Sequence, residues 1–209
     1  MTEVTKYSDE QIDAKLRELK SLGVRYALGA YVDIHGVPKA KYVPINHFPD
    51  MVRGSELFTG YALDGLGQQP NDDEISSVPD LERGFQIPWQ KDVAWFPADN
   101  YFHGEPYALN TRVALQRVLD EARGQGYTFN LGIEAEVYLL ELDESGKLVV
   151  PNDNDNLVKA CYDVQRFMEA FPFLDRMTTY LNELGWDVNH STMKTGIHNL
   201  SSTLAIPMR

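Results

Sequence analysis

Apolar and polar positions follow two rhythms along this chain, one with a helical period and one that alternates. Ser8 and Gln11 have capping-box spacing, Ile12, Leu16, Leu19 and Leu22 recur at helical intervals, and Gly23 closes the segment, so a first helix is predicted. Residues 24–33 and 39–44 read as two strands around the turn Asp33-Ile34-His35-Gly36. A short helical piece over 46–52 leads into a stretch, 53–84, rich in Gly, Pro, Asp and Ser and without periodicity. A loop of that length inside a compact domain is usually functional. Strands are predicted at 92–96 and near 106–109.

The pattern changes near Asn110. Asn110 has the chemistry of an N-cap, and Val113, Leu115, Val118, Leu119 and Ala122 form an apolar face for a helix over 111–124. A long strand over 127–142 follows and pairs across Asp143-Glu144-Ser145-Gly146 with residues 148–150. Residues 155–185 are largely helical, with Pro172 a point of possible breakage, and end at Gly185 before Trp186-Asp187-Val188. The reading is an α+β chain: a small domain over 1–107, the beginning of a second over 108–190, and a tail, 191–209, apart from both.

Composition narrows the partners. Of 209 residues, 43% are hydrophobic and 24% charged, ordinary for a globular chain, and the formal net charge of −12 disfavours nucleic acid and anionic membranes. The single cysteine, Cys161, excludes an internal disulfide and reads as core on a helix. With no apolar signal core and no span of membrane length, a cytoplasmic protein is expected. Trp89, Trp95, Tyr101 and Phe102 read as packing residues, and His190 and His198 lack the partnered spacing of metal ligands.

Candidate chemistry concentrates in Asn130-Leu131-Gly132-Ile133-Glu134-Ala135-Glu136-Val137-Tyr138-Leu139. On a strand, Leu131, Ile133, Ala135, Val137 and Leu139 share one face, while Glu134 and Glu136 share the other, about 6.5 Å apart at Cα. Two readings stand. The pair is a solvated strand face, or each carboxylate holds one member of a metal pair spaced about 3.5–4 Å, as phosphoryl transfer uses.

The segment 126–139, a glycine, one residue, then Glu-x-Glu and apolar positions, resembles the strand that opens the catalytic domain of glutamine synthetases. The preceding helix with Arg112 and Leu115 fits the same order. Ile87-Pro88-Trp89, Val93-Ala94-Trp95-Phe96, Asp99 and Gly104-Glu105-Pro106 resemble the last strands of that family's N-terminal β-grasp domain. Residues 24–44 resemble its opening hairpin, and Pro79-Asp80 the close of its long loop. The likeness covers about 8–190 and rests on order and spacing.

The resemblance implies an α+β fold, a β-grasp domain followed by the start of a glutamine-synthetase catalytic domain. It implies an ATP-dependent ligase of nitrogen metabolism: ATP phosphorylates the γ-carboxylate of glutamate, and ammonia or an alkylamine displaces the phosphate. Glu134 and Glu136 would each ligate one of two Mg²⁺ or Mn²⁺ ions, and family members assemble as homo-oligomeric rings. The ATP, glutamate and remaining metal residues are expected beyond Arg209, so this chain alone is expected to be inactive. The alternative is a non-catalytic β-grasp assembly or binding module.

Two departures qualify the resemblance. The family's loop often carries Phe-Asp-Gly-Ser-Ser, whose aspartate helps bind and deprotonate ammonium. Here the stretch is Phe58-Thr59-Gly60-Tyr61-Ala62-Leu63-Asp64-Gly65. Either the lost carboxylate at Thr59 admits an alkylamine, as in the γ-glutamylmethylamide synthetase branch, or Asp64 replaces it. The second departure is the tail, Met193 to Arg209, which has neither strand alternation nor a helical face where the family continues with His-Glu and Gln-x-Glu. Read one nucleotide earlier, permitted codons for it spell His-Glu-Asp-Gly-His-Pro-Gln-Phe-Glu-Phe-Asn-Phe-Gly-Tyr-Thr-Asp-Ala. A single-nucleotide frameshift near Thr192 is therefore expected, and the sheet begun at 127–142 is expected to lack the strands that follow Asn189.

Overall fold

A computed structural model describes residues 6–151, 159, 161–193 and 199–207. The chain divides into two compact units, Met1–Thr128 and Phe129–Arg209.

The first unit opens with helix α1 (Asp9–Ser21), started by the predicted capping box: Ser8 Oγ accepts from Gln11 N, and Gln11 Oε1 accepts from Ser8 N. Ile12 and Leu19 on its inner face are buried. Strands β1 (Tyr26–Val32) and β2 (Pro38–Pro44) form the predicted hairpin, in register from Tyr26↔Pro44 to Val32↔Pro38. Its turn is built by Asp33, whose Oδ1 accepts from His35 N and Val37 N, while Gly36 takes a left-handed φ of 77° that a side chain would strain. A 3₁₀ turn (Ile45–His47) and helix α2 (Phe48–Val52) follow, burying Phe48, Met51 and Val52.

The stretch read as a structureless loop over 53–84 contains two strands, β3 (Leu57–Phe58) and β4 (Ile75–Pro79). Then come β5 (Phe85–Ile87), the long β6 (Gln90–Phe102) and β7 (Glu105–Pro106). The sheet order is β2-β1-β6-β4-β3, with β5 and β7 also paired to β6. β1 and β6 run parallel, Tyr26↔Val93 through Ala30↔Pro97; every other pair in this sheet is antiparallel. The core gathers Ile12, Leu19, Ala27, Phe48, Met51 and Phe96 from α1, β1, α2 and β6.

Helix α3 (Thr111–Gly124) is capped as predicted, Asn110 Oδ1 accepting from Val113 N at 3.0 Å. The sequence places a boundary between Tyr107 and Asn110, where α3 begins; packing keeps α3 with the first unit. Thr111 Oγ1 donates to Val32 O at 2.6 Å, and Arg112 reaches Asp80 and Asp99.

In the second unit, β8 (Asn130–Tyr138) covers the centre of the strand predicted over 127–142, and β9 (Glu141–Leu142) and β10 (Leu148–Val149) form the predicted small hairpin. Helix α4 (Val164–Glu183) begins at the cap Asp163, later than predicted; residues 155–158 lie outside the described residues. It runs unbroken through Pro172 and buries Ala170 and Leu174 against Leu139, Phe167 and Phe173. Cys161 precedes α4 instead of sitting on it, and is half-buried, not core.

Strands β11 (Asp187–Met193) and β12 (Asn199–Pro207) complete a sheet of order β11-β12-β8. This corrects the expectation that no strand follows Asn189. β12 pairs antiparallel with all nine residues of β8, from Asn199↔Tyr138 to Pro207↔Asn130. Backbone pairing needs extended chain more than strict alternation, and Ser, Thr, Leu and Ile in 200–206 tolerate it. Among the described residues no helix is long and apolar enough to cross a membrane.

Candidate functional site

Strand β8 carries one candidate site, within the second unit. Its two-residue period sets Glu134 and Glu136 on one face and Leu131, Ile133 and Val137 on the other. All nine residues are exposed, including Leu131, Ile133 and Val137 at 38–39%. In register, position 203 of β12 lies across from Glu134 and position 201 across from Glu136. The donor set is two hard carboxylates, which suits Mg²⁺ or Mn²⁺ and not a softer ion. Among the described residues, no group of three His, Cys, Asp or Glu side chains comes together as a metal site. The pair therefore fits a hard cation in kind and supplies only part of a coordination shell. His190 falls on β11, and His198 lies outside the described residues.

A separate candidate is the loop in the first unit. Thr59 and Asp64 lie five residues apart but engage different partners. Thr59 Oγ1 donates to Glu74 Oε1 at 3.0 Å, while Asp64 Oδ2 sits 2.7 Å from His35 Nε2 at the tip of the β1–β2 hairpin. Further along, Asp73 Oδ2 lies 2.7 Å from His103 Nε2, in the turn between β6 and β7. One loop is thus pinned at two places to the turns of the sheet. Both pairs are solvent-exposed, and exposed polar contacts of this kind contribute little stability.

Sequence reasoning missed a third cluster. Asp80 and Asp99 are nearly buried, and Arg112 bridges them, Nε to Asp99 Oδ1 at 2.9 Å and Nη2 to Asp80 Oδ2 at 2.6 Å. Lys6 Nζ adds a 2.8 Å contact to Asp99 Oδ2, and Gln116 Nε2 a 3.3 Å bond to Oδ1. Burial pulls the Lys6 ammonium down, but the hydrogen bond and charge of Asp99 outweigh it and hold it above its ordinary range. The signal lies in the strand's pattern: Asp99 sits in the buried run Ala98-Asp99-Asn100 of β6, where a charge calls for a partner. Its arrangement is a clamp that fixes α3 and the N-terminal segment to β6.

Comparison with known proteins gives these elements a context. Residues 108–201 match the model of the glutamine synthetase catalytic domain, a range that reaches into the stretch read as a separate tail. The glutamate–methylamine ligase of Methyloversatilis universalis is 38% identical over 171 residues, which cover 81% of this chain and 38% of that one. The glutamine synthetase of Rhizobium leguminosarum bv. phaseoli is 34% identical over 163 residues, covering 78% of this chain and 37% of its own. Among solved structures, ligand-free GmaS superposes with a TM-score of 0.83 at 29% identity, over 90% of this chain and 44% of that one. A GmaS/ADP complex gives 0.82 at the same identity, over 90% and 43%. The chain spans 38% of the length of the first of these curated relatives. Shared sequence over four-fifths of the chain and a shared fold over nine-tenths lead to one assignment: this chain belongs to the glutamine synthetase family.

Proposed function

We propose that this chain forms the N-terminal part of an ATP-dependent ligase joining a small alkylamine to the γ-carboxylate of glutamate. The observation that carries the proposal is Glu134 and Glu136 exposed on one face of β8 in a chain 38% identical to a glutamate–methylamine ligase. In this reading each of the two glutamates holds one of two Mg²⁺ or Mn²⁺ ions. Bound there, the ions would neutralise phosphate charge during transfer from ATP. The first unit is a β-grasp-like domain that presents the loop of Thr59 and Asp64 to an amine site in a homo-oligomeric ring.

The amine follows from that loop. Thr59 offers a hydroxyl already donating to Glu74, and Asp64 is already paired with His35. Neither is a carboxylate standing ready for ammonium, which supports methylamine over ammonia. Among the described residues two glutamates do not complete a dinuclear site, and in this reading the 209 residues alone show no turnover. The test is the product of the complete coding region, incubated with glutamate, ATP, Mg²⁺ and methylamine. Formation of γ-glutamylmethylamide supports the assignment, and its absence beside robust glutamine formation from ammonia sinks the choice of amine.

A further inference from the structure

A pocket of about 20 Å³, partly open to solvent, lies in the first unit, with Leu63 and Asp64 in its wall beside Tyr31, Asn100 and Asn110. These last three are 5%, 2% and 4% exposed. Among the described residues, Tyr31 Oη, Asn100 Oδ1 and Asn110 Nδ2 are buried without a hydrogen-bond partner. Buried polar atoms are almost always satisfied, yet three residues that line this one pocket each carry an orphan. The orientation of Asn110 is fixed, because its Oδ1 caps α3 by accepting from Val113 N, which leaves Nδ2 as the donor facing elsewhere. The Tyr31 ring is likewise held, edge-on to Phe58 at 5.1 Å between centroids.

Size and donor count select the ligand. A water needs about 10–15 Å³ of such space and two to four polar partners, so the pocket has room for one water-sized molecule. Ammonium has the right size, and Asp33 and Asp64 stand in the wall. Ammonium has no lone pair, however, and leaves Asn110 Nδ2 unsatisfied. Water serves all three atoms. We propose that this cavity is a built site for a single internal water that accepts from Asn110 Nδ2, donates to Asn100 Oδ1 and shares a hydrogen bond with Tyr31 Oη. The water joins β1, β6 and the start of α3, and forms a floor beneath the loop segment that bears Asp64.

The test pairs a high-resolution crystal structure of the whole chain with thermal melts of Tyr31→Phe. Density within about 3.2 Å of all three atoms, and a Tyr31→Phe variant that melts below the parent, are the expected results. The sign of the melt discriminates. Deleting a partnered hydroxyl strands the water's other bonds, whereas deleting an unpartnered buried hydroxyl relieves a penalty and raises Tm. A cavity without density, or a variant melting at or above the parent, overturns the proposal. So does a parent Tm that rises with ammonium chloride but not with sodium or potassium chloride, which would assign the site to ammonium.

Discussion

Arg112, in the first turn of α3, donates to Asp99 in the middle of the sheet at 2.9 Å, one of several bonds that hold this helix, whose residues fall in the family's catalytic-domain segment, against the sheet of the first unit. Asp99 is 5% exposed and is met by three groups, Arg112, Lys6 and Gln116.

Arg112→Ala should therefore destabilise the first unit. Breaking a buried ion pair by removing one partner typically costs about 3–5 kcal/mol. The lower end is expected, because Lys6 still reaches Asp99 and Arg83 still faces Asp80 at 3.4 Å. Chemical denaturation with the midpoint read by tryptophan fluorescence measures it. A loss below about 1 kcal/mol, the range of exposed pairs, would show the cluster to be a surface feature.

The metal pair is tested by Glu136→Gln in the product of the complete coding region. The substitution keeps shape and strand register while removing a charge, so the fold should survive, Mn²⁺ affinity should drop and turnover should fall by an order of magnitude or more. Unaltered metal dependence alongside normal turnover would return both glutamates to the status of a solvated strand face.

The amine loop makes a separate prediction. In the same complete product, kcat/KM for methylamine should exceed that for ammonia, and Thr59→Asp should shift the ratio toward ammonia by adding a carboxylate where the family often has one. If the parent already prefers ammonia and Asp64→Asn abolishes that preference, Asp64 fills the role.

Alkaline pH should weaken the first unit. Burial, helped by the charge of Asp33, pushes the Tyr31 phenol up to about 12, and Lys6 is also raised. Both groups keep their protons in the folded state after the unfolded chain has released them, so their contribution is whole below about pH 10 and is lost as pH climbs toward 12. Melting curves from pH 8 to 12 should show Tm falling across that window, with a shallower fall in Tyr31→Phe. Identical slopes for parent and variant would remove Tyr31 from the account.

The coding DNA tests the shifted-frame reading of the tail. In that reading position 201 becomes a glutamate, and in the β8–β12 register position 201 lies across from Glu136. The reading requires Leu200 to be encoded by TTG and Ser201 by AGT. Any other codon at either position eliminates it.

Local signals read well because local physics decides them. The Ser8–Gln11 cap, the Asp33 turn, the Asn110 cap and the alternation around Glu134 all depend on residues within a few positions of one another. What escaped the sequence depends on distant partners. β4 is short and buried, and its extended form follows from pairing with β6 some twenty residues later. Pro172 looks like a helix breaker, yet α4 continues through it while packing Ala170 and Leu174 into a small core. The Arg112 clamp joins residues from Lys6 to Gln116, and no local pattern signals such a union.

The parallel pairing of β1 with β6 also governs how this protein is made. Tyr26 finds its neighbour at Val93, and Lys6 finds Asp99, so closing the sheet means bringing together segments separated by most of the unit. Such topologies fold slowly, because chain entropy is lost before the distant contacts form. A nascent chain on the ribosome holds α1 and the β1–β2 hairpin long before β6 emerges, with the inner side of α1 still wet. Until β6 and Arg112 clear the exit tunnel, the apolar side of α1 and the hairpin lacks its cover, for an interval set by the speed of translation across roughly seventy codons.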